Sequence, residues 1–184
     1  DGVIQYKNGT PVQSYNEKNA FKETAGGYGS GYCYIDGLAF DKNGNLWMTS
    51  SEVNHAVLVL DKAGAWHRLD IEQLRGVYTI NDILITSTND KWIYVPRNTP
   101  KLVMIPNSES LDEVSSYEFT TLIDTDGKEL TPSNYTCVAE DKDGYIWVGT
   151  NRGAVYFTKP RISSAEDKAA TRCTRVKYTN EETG

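Results

Sequence analysis

The chain is poor in most residues and patterns that announce chemistry. It has two histidines, His55 and His67, and three cysteines in 184 residues. Neither histidine has metal-binding spacing or a nucleophile motif beside it. No Gly-rich phosphate cradle occurs. Gly26-Gly27-Tyr28-Gly29 lacks the Lys and Ser or Thr that should follow, so it reads as a loop. No apolar run approaches the roughly 18 residues of a membrane helix. Positive charge is also short, with 19 Lys and Arg against 25 Asp and Glu, a net charge of −6 and a pI near 5.0. That balance argues against a nucleic-acid partner, which would demand a basic face. Among the 25 acidic residues no pair is singled out for glycan cleavage. The reading is therefore of a protein that is not an enzyme, with no catalytic set, metal ligands or cofactor. Cys33, Cys137 and Cys173 allow at most one internal disulfide. Cys137 lies in a strand pattern and is expected to be a buried, unpaired small apolar residue. A Cys137–Cys173 bridge would need an oxidising compartment.

What the chain does have is a repeated tryptophan phrase. Gly44-Asn45-Leu46-Trp47-Met48-Thr49 returns as Gly144-Tyr145-Ile146-Trp147-Val148-Gly149. Each copy is introduced by an Asp-Lys-Asx-Gly turn, at Asp41 and at Asp141. A weaker copy, Asn89-Asp90-Lys91-Trp92-Ile93-Tyr94-Val95, lies between them, so the tryptophans fall 45 and then 55 residues apart. A period of about 40–50 residues with β-type punctuation is the mark of propeller blades.

Runs rich in Ile, Val, Tyr and Trp, cut by Gly and Asx turns, divide each unit into about four strands. The first unit covers about 33–70, with strands at 34–40, 45–50, 56–60 and 65–70. The second covers about 78–123, with strands at 79–85, 91–95, 101–105 and 117–123. The third covers about 135–178, with strands at 135–140, 145–149, 154–157 and 173–178. Residues 4–15, inside a partial unit at 1–20, read as the outer hairpin of a preceding blade. Residues 162–171 read as an excursion with a helical turn at 165–170. The fold class expected is all-β, a partial β-propeller of three four-stranded antiparallel blades plus that hairpin. Trp47, Trp92 and Trp147 should all pack between blades. Propellers close with about four to eight blades, so residues 1–184 read as a fragment whose first partner is the rest of its parent propeller.

Asp-x-Asx-Gly at Asp41, Asp124 and Asp141 opens like a calcium loop, which also needs a bidentate Glu at its twelfth position. Glu52, Tyr135 and Arg152 stand there; Glu52 alone has the right type, and it lies beyond a strand. Turns explain every copy, because Asp bonds its own backbone and Gly supplies positive φ.

The phrase from Asp141 to Thr150, followed by Asn151-Arg152-Gly153, resembles the two-component regulator propeller repeat, and Asp41–Ser50 is a second match. The resemblance implies a β-propeller. It further implies an extracytoplasmic place, in the periplasm or on the cell surface. Such repeats form periplasmic sensor domains of hybrid two-component systems in gut Bacteroidetes, responsive to glycan fragments, and occur in surface proteins of the type IX secretion system. The resemblance thus implies a non-enzymatic recognition or sensor segment. The alternatives are a secretion-associated scaffold and, third, a propeller enzyme acting on glycans. After Trp147, Gly153–Pro160 replaces the more usual Gly-Leu and polar pair.

In such an array the loops from second to third strand share one rim with the interblade loops, and stiff arrays work by presenting loops. The candidate ligand site therefore collects Glu52, Asn54 and His55, then Arg97 and Asn98, then Asn151 and Arg152, with Tyr28 and Tyr32 from an interblade loop. Rings beside Asn and Arg suit a sugar or a surface glycan, and Arg suits a carboxylate or phosphate.

Overall fold

The structure, a computed structural model, describes residues 2–25 and 31–177. An N-terminal hairpin, β1 (Val3–Lys7) and β2 (Thr10–Tyr15), precedes three four-stranded antiparallel sheets. Blade 1 comprises β3 (Ile35–Phe40), β4 (Leu46–Ser50), β5 (Val57–Leu60) and β6 (Trp66–Leu69). Blade 2 comprises β7 (Ile83–Ile85), β8 (Lys91–Val95), β9 (Lys101–Ile105) and β10 (Tyr117–Phe119). A short hairpin, β11 (Leu122–Ile123) and β12 (Glu129–Leu130), leads to blade 3. That blade contains β13 (Tyr135–Glu140), β14 (Tyr145–Thr150), β15 (Gly153–Thr158) and, after the helix α1 (Ala165–Ala170), β16 (Thr174–Arg175). The molecule is a partial β-propeller.

The Asp turns are built alike. Asp41 Oδ1 accepts from the amides of Asn43 and Asn45 at 2.9 Å each, and Asp141 Oδ1 from those of Asp143 and Tyr145, also at 2.9 Å. Their Oδ2 atoms accept the indole N–H of Trp47 at 3.0 Å and Trp147 at 2.8 Å. Both oxygens of each carboxylate thus serve the turn and the tryptophan. Burial lifts the Asp41 carboxyl, but the Trp47 indole and the turn amides outweigh it and hold it below the usual carboxylate range. Blade 2 makes the same turn without Asp: Thr86 Oγ1 accepts the Asp90 amide at 3.0 Å. Asn89 takes the left-handed φ of 69° there, where Gly44 and Gly144 sit at 86° and 80°.

Strand alternation sets which side chains meet between blades. Trp47, Val57 and Val59 face Ile83, Ile93, Val95, Val103 and Ile105 of blade 2. Trp92, Tyr94, Leu102 and Met104, on the other side of blade 2, face Ile146, Val148, Val155 and Phe157 of blade 3. Met48 and Leu58, on the first face of blade 1, pack with Ala20, Phe21 and Cys33, while Tyr15 of the hairpin meets Trp66 edge-on at 5.5 Å. Contacts between blades concentrate on inner strands, β3 against β7 and β13 against β7 and β8. Gly37 permits the first: a Cβ there would lie 2.7 Å from the Ile83 amide nitrogen.

The structure corrects several expectations. Trp147 does not pack between blades. It points to the outward face of blade 3 and is only half-buried, its ring 4.9 Å from that of Tyr156, because no described blade follows. Cys137 is exposed on the inner strand rather than buried, where a bulge interrupts the pairing between Tyr135 and Cys137. Cys33 and Cys173 are buried, and all three thiols are free. The outer strand foreseen at 117–123 stops at Phe119, since the Asp124 turn folds Leu122–Ile123 back onto Glu129–Leu130. The strand foreseen from 79 begins at Ile83, because the Ile80 amide donates to Ser51 Oγ at 2.8 Å instead of to a ladder. Of the outer strand foreseen at 173–178, Thr174–Arg175 forms, and Tyr178 lies outside the described residues.

Candidate functional site

The second-to-third-strand loops and the interblade loops do meet on one rim, and backbone hydrogen bonds join them at each blade. The Glu52 amide donates to Val77 O at 2.8 Å, the Tyr135 amide to Pro96 O at 3.0 Å, and the Asn151 amide to Asn134 O at 3.1 Å. Each predicted loop is thereby tied to the interblade loop beside it.

Part of the predicted set is tied into the rim by hydrogen bonds of its own. The amides of Asn54 and His55 donate to Glu23 Oε2 at 2.7 and 3.2 Å, and the His55 ring meets Glu23 Oε1. Burial lifts the Glu23 carboxyl, but these bonds outweigh it and leave it below its ordinary value. Asn151 Oδ1 accepts from the amides of Ser133 and Asn134 at 3.0 and 3.2 Å, so its side chain is structural. Arg97, Asn98 and Arg152 are exposed, Asn98 with a φ of 68°. Tyr32 is 43% exposed, with its ring 6.2 Å from that of Tyr34. Tyr28 lies outside the described residues.

A pocket of about 180 Å³ forms on this rim between blades 1 and 2, and it takes Glu52 but neither arginine. Its other walls are Tyr34, Asp36, Ser51, Tyr78 and Thr79. Glu52 is presented from a left-handed backbone, φ 61°, and Tyr78 is 60% exposed. Ser51 Oγ donates to Asp36 Oδ2 at 2.7 Å and accepts the Ile80 amide at 2.8 Å, which locks the floor. Partial burial raises the Asp36 carboxyl above the usual carboxylate range despite the Ser51 hydroxyl. Two tyrosine rings beside two carboxyls offer apolar faces and hydrogen-bond acceptors together. Sequence reading missed Tyr34, Asp36 and Tyr78 because it counted outward from the tryptophan along one loop, whereas the pocket draws on the inner strand and the following interblade loop. The signal available was the placing of Tyr34 and Tyr78 where interblade loops lead into inner strands.

Among the described residues no helix is long and apolar enough to cross a membrane, and no group of three His, Cys, Asp or Glu is arranged to hold a metal. No curated protein matches the sequence. Two solved structures are similar. One is PorZ, described as an essential bacterial surface component of the type-IX secretion system of Porphyromonas gingivalis, with a TM-score of 0.80 and 18% identity over 99% of this chain. The other is the extracellular domain of the hybrid two component system BT3049 from B. thetaiotaomicron, with a TM-score of 0.55 and 19% identity over 84% of this chain. The chain spans 25% and 18% of those two chains. Residues 129–152, from β12 through the Asp141 turn and Trp147 to Arg152, match the family model described as two component regulator propeller. The chain is thus a partial β-propeller in which residues 129–152 match a two component regulator propeller repeat.

Proposed function

We propose that the chain is a non-enzymatic recognition segment of an extracytoplasmic propeller protein, in which the rim pocket between blades 1 and 2 receives a hydroxyl-rich ligand such as an oligosaccharide. The observation that carries this reading is the pocket itself. Tyr34 and Tyr78 offer ring faces for the apolar side of a sugar, and Asp36 and Glu52 offer acceptors for its hydroxyls. The two similar structures are a surface component and an extracellular domain, which supports an extracytoplasmic place. Between a surface component of type IX secretion and a glycan-responsive sensor, the first is preferred, because that likeness has a TM-score of 0.80 over nearly the whole chain against 0.55 over less of it. The remaining blades of the parent are its first partner.

A glycan panel applied to the full chain tests the reading. At least one oligosaccharide should bind, and Tyr78→Ala and Asp36→Asn should each weaken it about tenfold, about 1.4 kcal/mol. Silence across the panel would remove the pocket from consideration. An enzymatic reading has its own observation, a raised carboxyl and a second carboxyl in one pocket, the pairing glycoside hydrolysis uses. Steady product formation that Asp36→Asn abolishes would establish that reading instead. For the parent, loss of exported proteins from the medium on gene deletion marks the secretion role, and loss of a glycan-induced transcript marks the sensor role.

A further inference from the structure

The opposite rim carries the Asp turns, and between blades 2 and 3 it opens into a cleft of about 280 Å³. Thr86, Ser87 and Trp92 form one wall; Glu140, Lys142, Lys159 and Arg161 stand on the other. The repeat explains why there is space. Thr86 occupies the turn position that Asp41 and Asp141 occupy in the neighbouring blades, where the carboxylate accepts the tryptophan indole N–H. Trp92 is almost fully buried, and its indole N–H, which has no acceptor among the described residues, keeps access to the cleft. The blade therefore lacks a carboxylate that both of its neighbours supply from their own chain.

The cleft is also unevenly satisfied. Its lining holds three cations, Lys142, Lys159 and Arg161, and three carboxylates, Asp90, Glu140 and Asp143. Asp90 accepts from the Asn107 amide at 2.8 Å and the Thr88 hydroxyl at 2.5 Å. Glu140 accepts from the amide and hydroxyl of Ser87 at 2.5 Å each. Asp143 alone among them is without such a donor, and it is exposed. None of the three cations has a hydrogen bond or ion pair among the described residues. The unused hydrogen-bonding capacity of the cleft is therefore on its cations and its indole. Lys159 is further held in a left-handed backbone, φ 46°, with its stem over Gly144, where a Cβ would meet Lys159 Cε at 3.6 Å. Non-glycine residues in that region are sparse and gather at ligand sites.

We propose that this cleft binds a small carboxylate, whose oxygens stand where the repeat's own aspartate is missing and pair with Lys142, Lys159 and Arg161. Charge-assisted bonds of this kind favour an ionised, planar acceptor, above all from arginine. A small cleft that stays open to solvent suits a single sugar acid or one acidic amino-acid unit. The two share the carboxylate, and the test separates them.

Calorimetric titration of the full chain uses glucuronate and N-acetylglutamate amide as carboxylate probes, with glucose and N-acetylglutamine amide as neutral matches. At least one carboxylate should bind saturably and its neutral match should not; which one binds identifies the source. Arg161→Ala should weaken binding about tenfold. Thr86→Asp restores the aspartate of the repeat, so it should abolish binding while leaving the melting temperature equal or higher, which separates loss of the site from loss of the fold. The proposal is overturned if neither carboxylate binds, or if Thr86→Asp binds as well as the wild type.

Discussion

The seams on either side of blade 2 are made from the same repeat positions and solve the same packing problem differently. In the seam with blade 1, Trp47 meets Lys91, whose ammonium lies 4.3 Å from the ring centroid although the residue is 2% exposed. In the seam with blade 3, Trp92 meets Ile146, the residue one period on from Lys91, and its ring lies within 6 Å of Phe119 and Phe157. Burial holds the Lys91 amine below its ordinary value, while the negative charges of Asp41 and Asp90 oppose that shift. The difference follows from one turn residue. Where the turn supplies Asp41, the position against the ring holds an ammonium; where it supplies Thr86, an aliphatic residue and phenyl rings pack with the indole, and the carboxylate's place opens on the cleft. A repeat position is thus specified by the neighbouring blade's turn as much as by its own strand.

The comparison can be broken most severely at the rings. Trp47→Ala and Trp92→Ala should each cost about 3–5 kcal/mol by urea denaturation, and half-buried Trp147→Ala about 1 kcal/mol. Equal losses at all three would mean that the outward face of blade 3 is covered. Exchanging the seam residues should come next. Ile146→Lys places an ammonium in a seam without Asp41 and should cost about 3 kcal/mol, whereas Lys91→Met should be neutral within about 1 kcal/mol or stabilising. The same pair has a signature in pH. Because the folded Lys91 value is lowered, the unfolded chain binds more protons between that value and the usual ~10.4, so wild-type stability rises with pH in that window. Lys91→Met should lack the rise.

A smaller loss is expected from Asp41→Asn, about 1–2 kcal/mol near neutral pH, since the amide keeps one acceptor but no charge. The lowered Asp41 value means that its contribution is present above the unfolded ~3.9 and is lost as pH falls through the folded value. Acid titration of the variant should therefore be flatter than that of the wild type. The smallest effect concerns the outer edge, where His67 Nδ1 meets Asp112 at 2.7 Å and Nε2 meets Asp61 at 3.1 Å. The Asp112 bond and then the Asp61 bond raise the His67 value. Its contribution is thus full below about 6.5 and lost as pH rises through the raised folded value. His67→Gln should remove this loss, worth about 1–2 °C in melting temperature across the transition.

The repeat made the blades legible because alternation and turn chemistry are local. Trp47, Trp92 and Trp147 stand in second strands as the phrase requires, and α1 forms where the small and charged stretch falls. Covering of an outward face is not local. Trp147 and Cys137 sit in strands as expected, but Trp147 faces no described blade and Cys137 lies at a bulge, neither of which the phrase contains. The same limit applies to the site. Counting positions after each tryptophan finds loops of one rim, yet what His55 and Asn151 bond to is set by Glu23, Ser133 and Asn134, which come from other loops. Asp36 and Tyr78 reach one pocket from an inner strand and the following interblade loop, a juxtaposition that no single period contains.

The close approach at Gly37 has a consequence for shape. Backbone nearly touches backbone at the inner strands of blades 1 and 2, while the second and third strands keep Trp47, Val57 and Ile93 between them. Each blade is therefore a wedge, thin toward one edge, and successive wedges add rotation rather than height. The taper at that one glycine sets part of the angle through which the chain turns. A larger residue there would not merely lose contacts; it would pry the thin edge apart and change the angle between blades 1 and 2.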